Sequence, residues 1–247
     1  MASYHVTMVS WKQKKGGGGL AIIVSFVSQK GGVYKSTLAR LLAREFAAQE
    51  WNVKIADLDI SQGTCFQWRA RRLGNRIEPD IPVEQFGSVD KALKIADQYD
   101  ILIFDGAPHS SSATRAIAQA SGLTVIPTGL AVDDLQPAVT LAHDLAKNGV
   151  ARAKIVFALC KVGDSPAEIE DARAYLQEAG YDVLPGTLPE KVGYRRASDE
   201  GKALTETRFA SLNQRAEEVA QGMVDRISQL SSAQDRSKTD MNKRSVA

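Results

Sequence analysis

Ser28-Gln29-Lys30-Gly31-Gly32-Val33-Tyr34-Lys35-Ser36-Thr37 follows directly on the apolar run Leu20–Val27. A buried strand, a glycine-rich turn and Lys-Ser-Thr at the start of a helix together make a cradle for the phosphates of a nucleoside triphosphate. Backbone N–H groups of residues 30–36 point at phosphate oxygens, and the helix beginning near Lys35 adds its positive end. Gly31 and Gly32 allow close approach because no Cβ intervenes. Lys35 would neutralise the β- and γ-phosphates and the Ser36 hydroxyl would coordinate Mg²⁺. Val33, Tyr34 and Thr37 complete the phosphate-binding set.

Two carboxylate motifs sit downstream. Asp57-Leu58-Asp59-Ile60-Ser61-Gln62-Gly63 ends a second apolar run, so its aspartates project from the carboxyl edge of a sheet beside the loop. A carboxylate there orients an attacking water or holds Mg²⁺ through water. We assign water positioning to Asp59 and outer-shell Mg²⁺ support to Asp57. Ile101-Leu102-Ile103-Phe104-Asp105 is an apolar strand ending in aspartate, the Walker B pattern, which places Asp105 near the ion. His109, just beyond, reads as an ordinary loop histidine, because phosphoryl transfer needs positioning more than proton abstraction.

Lys30 narrows the reading. The pattern Lys-Gly-Gly-x-x-Lys-Ser, followed in order by the Asp57–Gly63 and Ile101–Pro108 motifs, resembles the deviant Walker A ATPases of the ParA/MinD family. Val125–Thr128 and the block Leu188–Ala197 with Gly201-Lys202 extend the resemblance over roughly residues 20–230. It implies an ATPase using ATP and Mg²⁺, in which Lys30 reaches across a nucleotide-sandwich homodimer to the partner's phosphates. It also implies non-specific DNA binding, a centromere-binding or cargo adaptor partner that stimulates hydrolysis, and a cytoplasmic, nucleoid-associated protein that positions a plasmid or other cargo. The chain departs from the family pattern in several places. The family's Asp-x-Asp-Pro-Gln-Gly has one residue fewer than Asp57–Gly63, and Gly106 replaces a threonine after Asp105. Cys160-Lys161 stand where relatives often carry asparagine or aspartate. The membrane-targeting helix of MinD has no match, and no membrane partner is expected; the bridging cysteines of the iron–sulfur relatives are missing.

Tyr34 is the sharpest departure, standing where nearly every such loop has glycine. A positive φ there would cost about 1–2 kcal/mol in strain, and a ring clash with phosphate would add to it. The expectation is weakened or lost ATP binding and hydrolysis on an intact fold, with a hydrolysis-deficient scaffold of the same fold as the alternative.

Basic residues form two sets. Arg69, Arg71, Arg72 and Arg76 cluster beside Trp68 without acids, whereas Lys191, Arg195, Arg196, Lys202 and Arg208 are diluted by Asp199, Glu200 and Glu206. We place the DNA contacts on the second set, through phosphates and without base readout. A solvated charged face or a site for the partner protein is the competing reading of either set.

These residues need a particular frame. Strands are expected over Ala21–Val27, Val53–Asp57, Ile81–Phe86, Ile101–Asp105, Leu123–Pro127, Ile155–Leu159 and Tyr181–Leu184. Several are continuous apolar runs, as a parallel sheet covered on both faces requires. Helices are expected over Ser36–Gln49, Ser88–Gln98, Ser111–Ser121, Asp133–Asn148 and Ser165–Ala179. Asp133 and Ser165 suit N-caps, Pro166 a first turn, and Gly149 and Gly180 C-terminal stops. The alternation predicts an α/β, doubly wound, mostly parallel sheet with helices on both faces, in a single P-loop NTPase domain over residues 20–230. Leu212, Ala216, Val219, Ala220, Met223, Ile227 and Leu230 recur at helical spacing and predict a helix packed on the sheet. Residues 1–19, which include the run Gly16–Gly19, read as a flexible extension without a secretory h-region, and residues 231–247 as a disordered polar tail.

Composition agrees with this frame. The 247 residues are 44% hydrophobic and 24% charged, enough for one substantial core. A net charge of +2 demands that any DNA footprint be local. Cys65 and Cys160 form no metal or redox motif and are expected as reduced thiols.

Overall fold

The computed structural model of the chain describes residues 21–108 and 111–244. The readings of the N-terminal extension and of His109 lie outside these residues.

Four apolar residues and a buried serine, Ser25, form the first strand, β1 (Ile22–Phe26), and the phosphate-loop sequence leads from it into helix α1 (Lys35–Ala48). There follow β2 (Val53–Asp57), α2 (Thr64–Gly74), β3 (Val83–Gln85), α3 (Val89–Leu93), β4 (Ile101–Asp105) and α4 (Ser111–Ala120). The second half comprises β5 (Leu123–Thr128), α5 (Val132–Lys147), β6 (Ile155–Val162), α6 (Pro166–Glu178), β7 (Asp182–Val183), β8 (Leu188–Pro189), α7 (Val192–Asp199) and α8 (Ala210–Arg244). One sheet runs in the order β3-β2-β4-β1-β5-β6-β7, with β8 also pairing β6, and every pairing is parallel.

Alternation along the strands feeds two separate cores. Val24, Phe26, Ile101, Ile103, Leu123 and Val125 face α1, α2 and α8. Leu102, Phe104, Ile126, Phe157 and Leu159 face α3, α4, α5 and α6. Strands covered on both faces read as nearly continuous apolar runs, and the polar residues they do bury are partnered, as Ser25 is by Thr124 at 3.1 Å.

Several local expectations meet differences. Ser165 caps α6, its hydroxyl accepting from the N–H of Glu168 at 3.3 Å, and Gly149 and Gly180 take positive φ at helix ends. Helix α5, however, begins from Ala131, and Asp133 lies in its first turn rather than at the cap. There its carboxylate favours the helix dipole instead of a specific N–H. The helix expected over Ser88–Gln98 is only α3 and a separate 3-10 turn at Ala96–Gln98. Helix α2 was not foreseen. The tail expected to be disordered from Ser231 is instead helical through Arg244. It holds no glycine or proline to stop the helix, and polar helix formers such as Gln, Lys and Arg carry it onward.

Candidate nucleotide-binding site

Parallel strands deliver their C-terminal ends to one edge, and three of them carry the motifs. Phe26 of β1 lies in register with Asp105 of β4, which lies in register with Asp57 of β2. The glycine-rich loop and both aspartate motifs are thereby brought together.

The loop turns left-handed at Gly32 (φ 71°) and again at Tyr34 (φ 73°, ψ 16°), the residue that precedes α1. The N–H groups of Gly31, Gly32 and Val33 find no backbone acceptor among the described residues, which leaves them available to an anion. Lys35 is buried, and its Nζ donates to the carbonyl of Lys30 at 2.9 Å, folding the side chain back over the loop. Burial pulls its ammonium below the usual lysine range, while Asp105 and Asp59 oppose that shift. Lys30 Nζ pairs with Asp134 Oδ1 at 2.7 Å, in the first turn of α5, so within a single chain this lysine has an internal partner. A shallow cleft between loop and α5 is lined by Ser28, Lys30, Thr128 and Asp134.

Tyr34 has the positive φ on which its strain depended. Its ring is directed toward the end of β6 and the start of α7 and packs on the core there. Lys161 Nζ lies 5.9 Å from the ring centroid. Burial first, then Cys160 and Glu190, push the phenol up to about 12, with Arg195 opposing. Lys161 itself has a φ of 56°, at an irregularity where β6 shifts register between Cys160 and Val162.

The three aspartates differ. Asp57 is fully buried, and its oxygens accept from the N–H groups of Asp59, Cys65 and Phe66, each at 3.1 Å, so it caps α2. Burial and the neighbouring Asp105 push its carboxyl up to about 6 against those hydrogen bonds. Asp59 is held in a tight turn, Oδ1 accepting from the Ser61 hydroxyl at 2.7 Å and the Gln62 N–H at 3.1 Å. Asp105 accepts the Cys65 thiol on Oδ2 at 3.1 Å, whereas its buried Oδ1 has no hydrogen-bond partner among the described residues. Burial raises the Asp105 carboxyl, and Ser36, Cys65, Arg40 and Lys35 pull it back. A buried carboxylate with one oxygen unpartnered among the described residues, close to the Ser36 side chain, is the arrangement a hard divalent cation satisfies, so the residues present fit Mg²⁺. Gly106 lacks a side chain for a steric reason: a Cβ would meet the Phe26 carbonyl at 3.0 Å and Ile117 and Val27 at 3.4 Å.

The two basic sets fare differently. Arg72 is fully buried, bound to Glu206 at 2.7 and 2.9 Å and stacked on Trp68 at 5.4 Å, while Arg69 pairs with Asp80 at 2.8 Å. The first set is therefore not one exposed basic face. In the second, Lys191, Arg195 and Arg196 border or occupy α7, with Lys202 just beyond. Lys191 meets Asp164 at 3.2 Å, Arg195 meets Glu190 at 3.7 Å and Lys202 meets Glu200 at 2.6 Å, while Arg196 is exposed. Sequence reasoning missed Cys65 and Asp134. Asp134 was signalled by its place in the first turn after β5, whereas nothing in the sequence marked Cys65.

A phosphate loop, a Walker-B aspartate and a parallel sheet with β1 between β4 and β5 define a P-loop nucleotide-binding protein. Residues 24–204 match the CobQ/CobB/MinD/ParA nucleotide binding domain, and the chain belongs to that family. It is 28% identical over 188 residues to the maintenance of carboxysome distribution protein A of Gloeobacter kilaueensis, covering 75% of this chain and 85% of the relative. Its fold is similar to the cell division ATPase MinD of Pyrococcus furiosus, with a TM-score of 0.65 at 16% identity over 83% of this chain and 98% of that one. A Cyanothece McdA–ATP complex gives a TM-score of 0.64 at 16% identity over 83% and 97% of the two chains. No helix among the described residues is long and apolar enough to cross a membrane.

Proposed function

We propose that the chain is a ParA-type positioning ATPase: ATP binding drives homodimerisation and non-specific DNA binding, and an adaptor protein stimulates hydrolysis and release. The observation that carries this reading is the meeting of Lys35, Ser36 and Asp105 behind the phosphate loop, with Asp105 Oδ1 left bare. Mg²⁺, when bound, neutralises charge on the β- and γ-phosphates. The loop N–H groups and Lys35 hold the phosphates, Ser36 and Asp105 hold the ion, and Asp57 adds outer-shell negative charge. Asp59, fixed through Oδ1, offers its second oxygen to orient a water. Lys30 would exchange Asp134 for a phosphate of the partner copy. Lys191, Arg195, Arg196 and Lys202 supply the DNA contacts, in a cytoplasmic, nucleoid-associated protein.

Tyr34 favours a second reading, a scaffold of the same fold with impaired turnover. Its left-handed strain is present without any phosphate, so it burdens the fold rather than the binding step. Impairment would instead come from a loop anchored by its ring to β6 and α7, which closes less freely on phosphate. Calorimetric titration of ATP, with turnover measured in parallel, tests both readings on the unsubstituted chain, Tyr34→Gly and Lys35→Ala. The proposal expects tightest binding and fastest turnover in Tyr34→Gly and the weakest binding in Lys35→Ala. Equal affinity and turnover with and without the ring would remove the impairment, and undiminished binding by Lys35→Ala would remove the site. DNA binding of the same strength with and without ATP would favour the scaffold.

A further inference from the structure

Cys65 occupies a junction that no motif assigns. It is fully buried near the start of α2, where its N–H donates to Asp57 Oδ2 at 3.1 Å. Its thiol donates to Asp105 Oδ2 at 3.1 Å and lies 3.7 Å from the backbone carbonyl of Ser36. One side chain thus touches the Walker-B strand and the phosphate-loop helix while belonging to the helix that follows the Asp59 turn. The carboxylate it meets is asymmetric: Oδ2 takes the thiol, whereas Oδ1 is buried with no hydrogen-bond partner among the described residues, and the Ser36 side chain is near enough to lower the same carboxyl. A buried carboxylate free to rotate would exchange its two oxygens, whereas a donor fixed on one side holds the other in place.

We propose that Cys65 is a positioning residue for the divalent cation: its S–H fixes Asp105 so that Oδ1 stays directed at the ion beside Ser36. The inference rests on the proposed nucleotide site and goes beyond it by giving the metal ligand a thiol support. Because Asp57 holds Cys65 by its backbone, the same contact ties the start of α2 to the ion. Because the thiol occupies Oδ2, Oδ1 would remain free to hold the ion with the thiol hydrogen bond intact, and no proton would have to move.

The test has two readouts. The first is the Mg²⁺ concentration that half-maximally tightens binding of a fluorescent ADP analogue, measured in both the Tyr34 and Tyr34→Gly backgrounds. Loss of a contact that supports a metal ligand typically costs 10–100-fold in metal affinity, so Cys65→Ala should raise this midpoint at least about tenfold. Cys65→Ser, which keeps a donor, should return it close to the unsubstituted value, and thermal unfolding would confirm that both variants fold. The second is the infrared S–H stretch. Cys65 should give a band displaced by hydrogen bonding, lost in Cys65→Ala and shifted in Asp105→Asn, with the buried thiol of Cys160 as internal reference. Nucleotide binding with an unchanged Mg²⁺ midpoint in Cys65→Ala, or an S–H band indifferent to Asp105→Asn, would overturn the role of Cys65 and leave the nucleotide site standing. No nucleotide binding in either background would overturn the site itself, and the inference with it.

Discussion

Replacing Glu206 by glutamine removes one charge from a deeply buried ion pair. Arg72 is fully buried and meets both oxygens of Glu206, and Glu206 also accepts the Ala203 N–H at 2.7 Å and approaches Arg44 at 3.4 Å. The Arg72 guanidinium also donates to the carbonyls of Pro79 and Gly201, so it cannot leave without breaking further contacts. Breaking such a pair from one side costs about 3–5 kcal/mol because the remaining charge stays buried. Glutamine still accepts one hydrogen bond, which places the expected loss near the lower end, about 3 kcal/mol. With a urea slope of about 3 kcal/mol/M, the midpoint should fall by about 1 M, and the melting temperature by about 6–12 °C. Circular dichroism during urea titration reads both the midpoint and the slope. The effect also has a pH signature. Burial pushes the Glu206 carboxyl up, but the Arg72 hydrogen bonds, the Ala203 N–H and the charges of Arg72 and Arg44 outweigh it and hold it below the usual range. Its stabilisation is therefore fully present above the unfolded value of about 4.3 and is lost as pH falls through the lower folded value. The gap between Glu206→Gln and the unsubstituted chain should be constant at neutral pH and close in acid. A double replacement, Arg72→Met with Glu206→Leu, should recover much of the loss. A midpoint fall below about 0.3 M at pH 7, or a gap that does not close in acid, would refute the reasoning.

Three further outcomes follow from the same contacts. Gly201→Ala should destabilise the chain by at least about 2 kcal/mol in the same urea assay, since a Cβ there, at φ 80°, would lie 2.3 Å from the Arg72 backbone nitrogen. Lys35→Ala should weaken nucleotide affinity by about 10–100-fold by calorimetry, the worth of one charge-assisted contact, without lowering the melting temperature comparably. If α7 contacts DNA phosphates, each of Arg195→Ala and Arg196→Ala should flatten the plot of log affinity against log salt by about 0.9, and an unchanged slope would move the DNA surface elsewhere.

The strands were legible because covering both faces of a parallel sheet favours nearly continuous apolar runs, and Val53–Asp57 and Ile101–Asp105, each ending in its site aspartate, were read to the residue. Helix α2 was hidden for the converse reason. Its inward positions are Cys65, Trp68 and Arg72, so a helical face ends in an arginine that no apolar pattern counts. The same arginine misled the reading of the first basic set, since burial beside Glu206 joins residues 134 apart in sequence. Strand β8, two residues long and ending in Pro189, is too short to give a period. At the site, the loop and Asp105 announced themselves through motif spacing. Cys65 did not, because its role depends on which atoms surround it rather than on its distance from any other residue along the chain.

The strand order also sets when the molecule can come into being. The strand that leads into the phosphate loop, β1, has no neighbour among the residues that follow it directly; it pairs with β4, from Ile22↔Ile101 onward, and with β5, from Val24↔Leu123. A chain emerging from the ribosome therefore makes β1, α1, β2 and β3 before it has made the strand that must lie between β1 and β2. Until about a hundred residues exist, β1 has α1 to pack on but no strand partner, and β2 has only β3; long-range parallel pairing of this kind is slow and exposed to aggregation. The loop that opens the sequence thus waits on strands made about eighty to a hundred residues later before β1 is fixed beneath it.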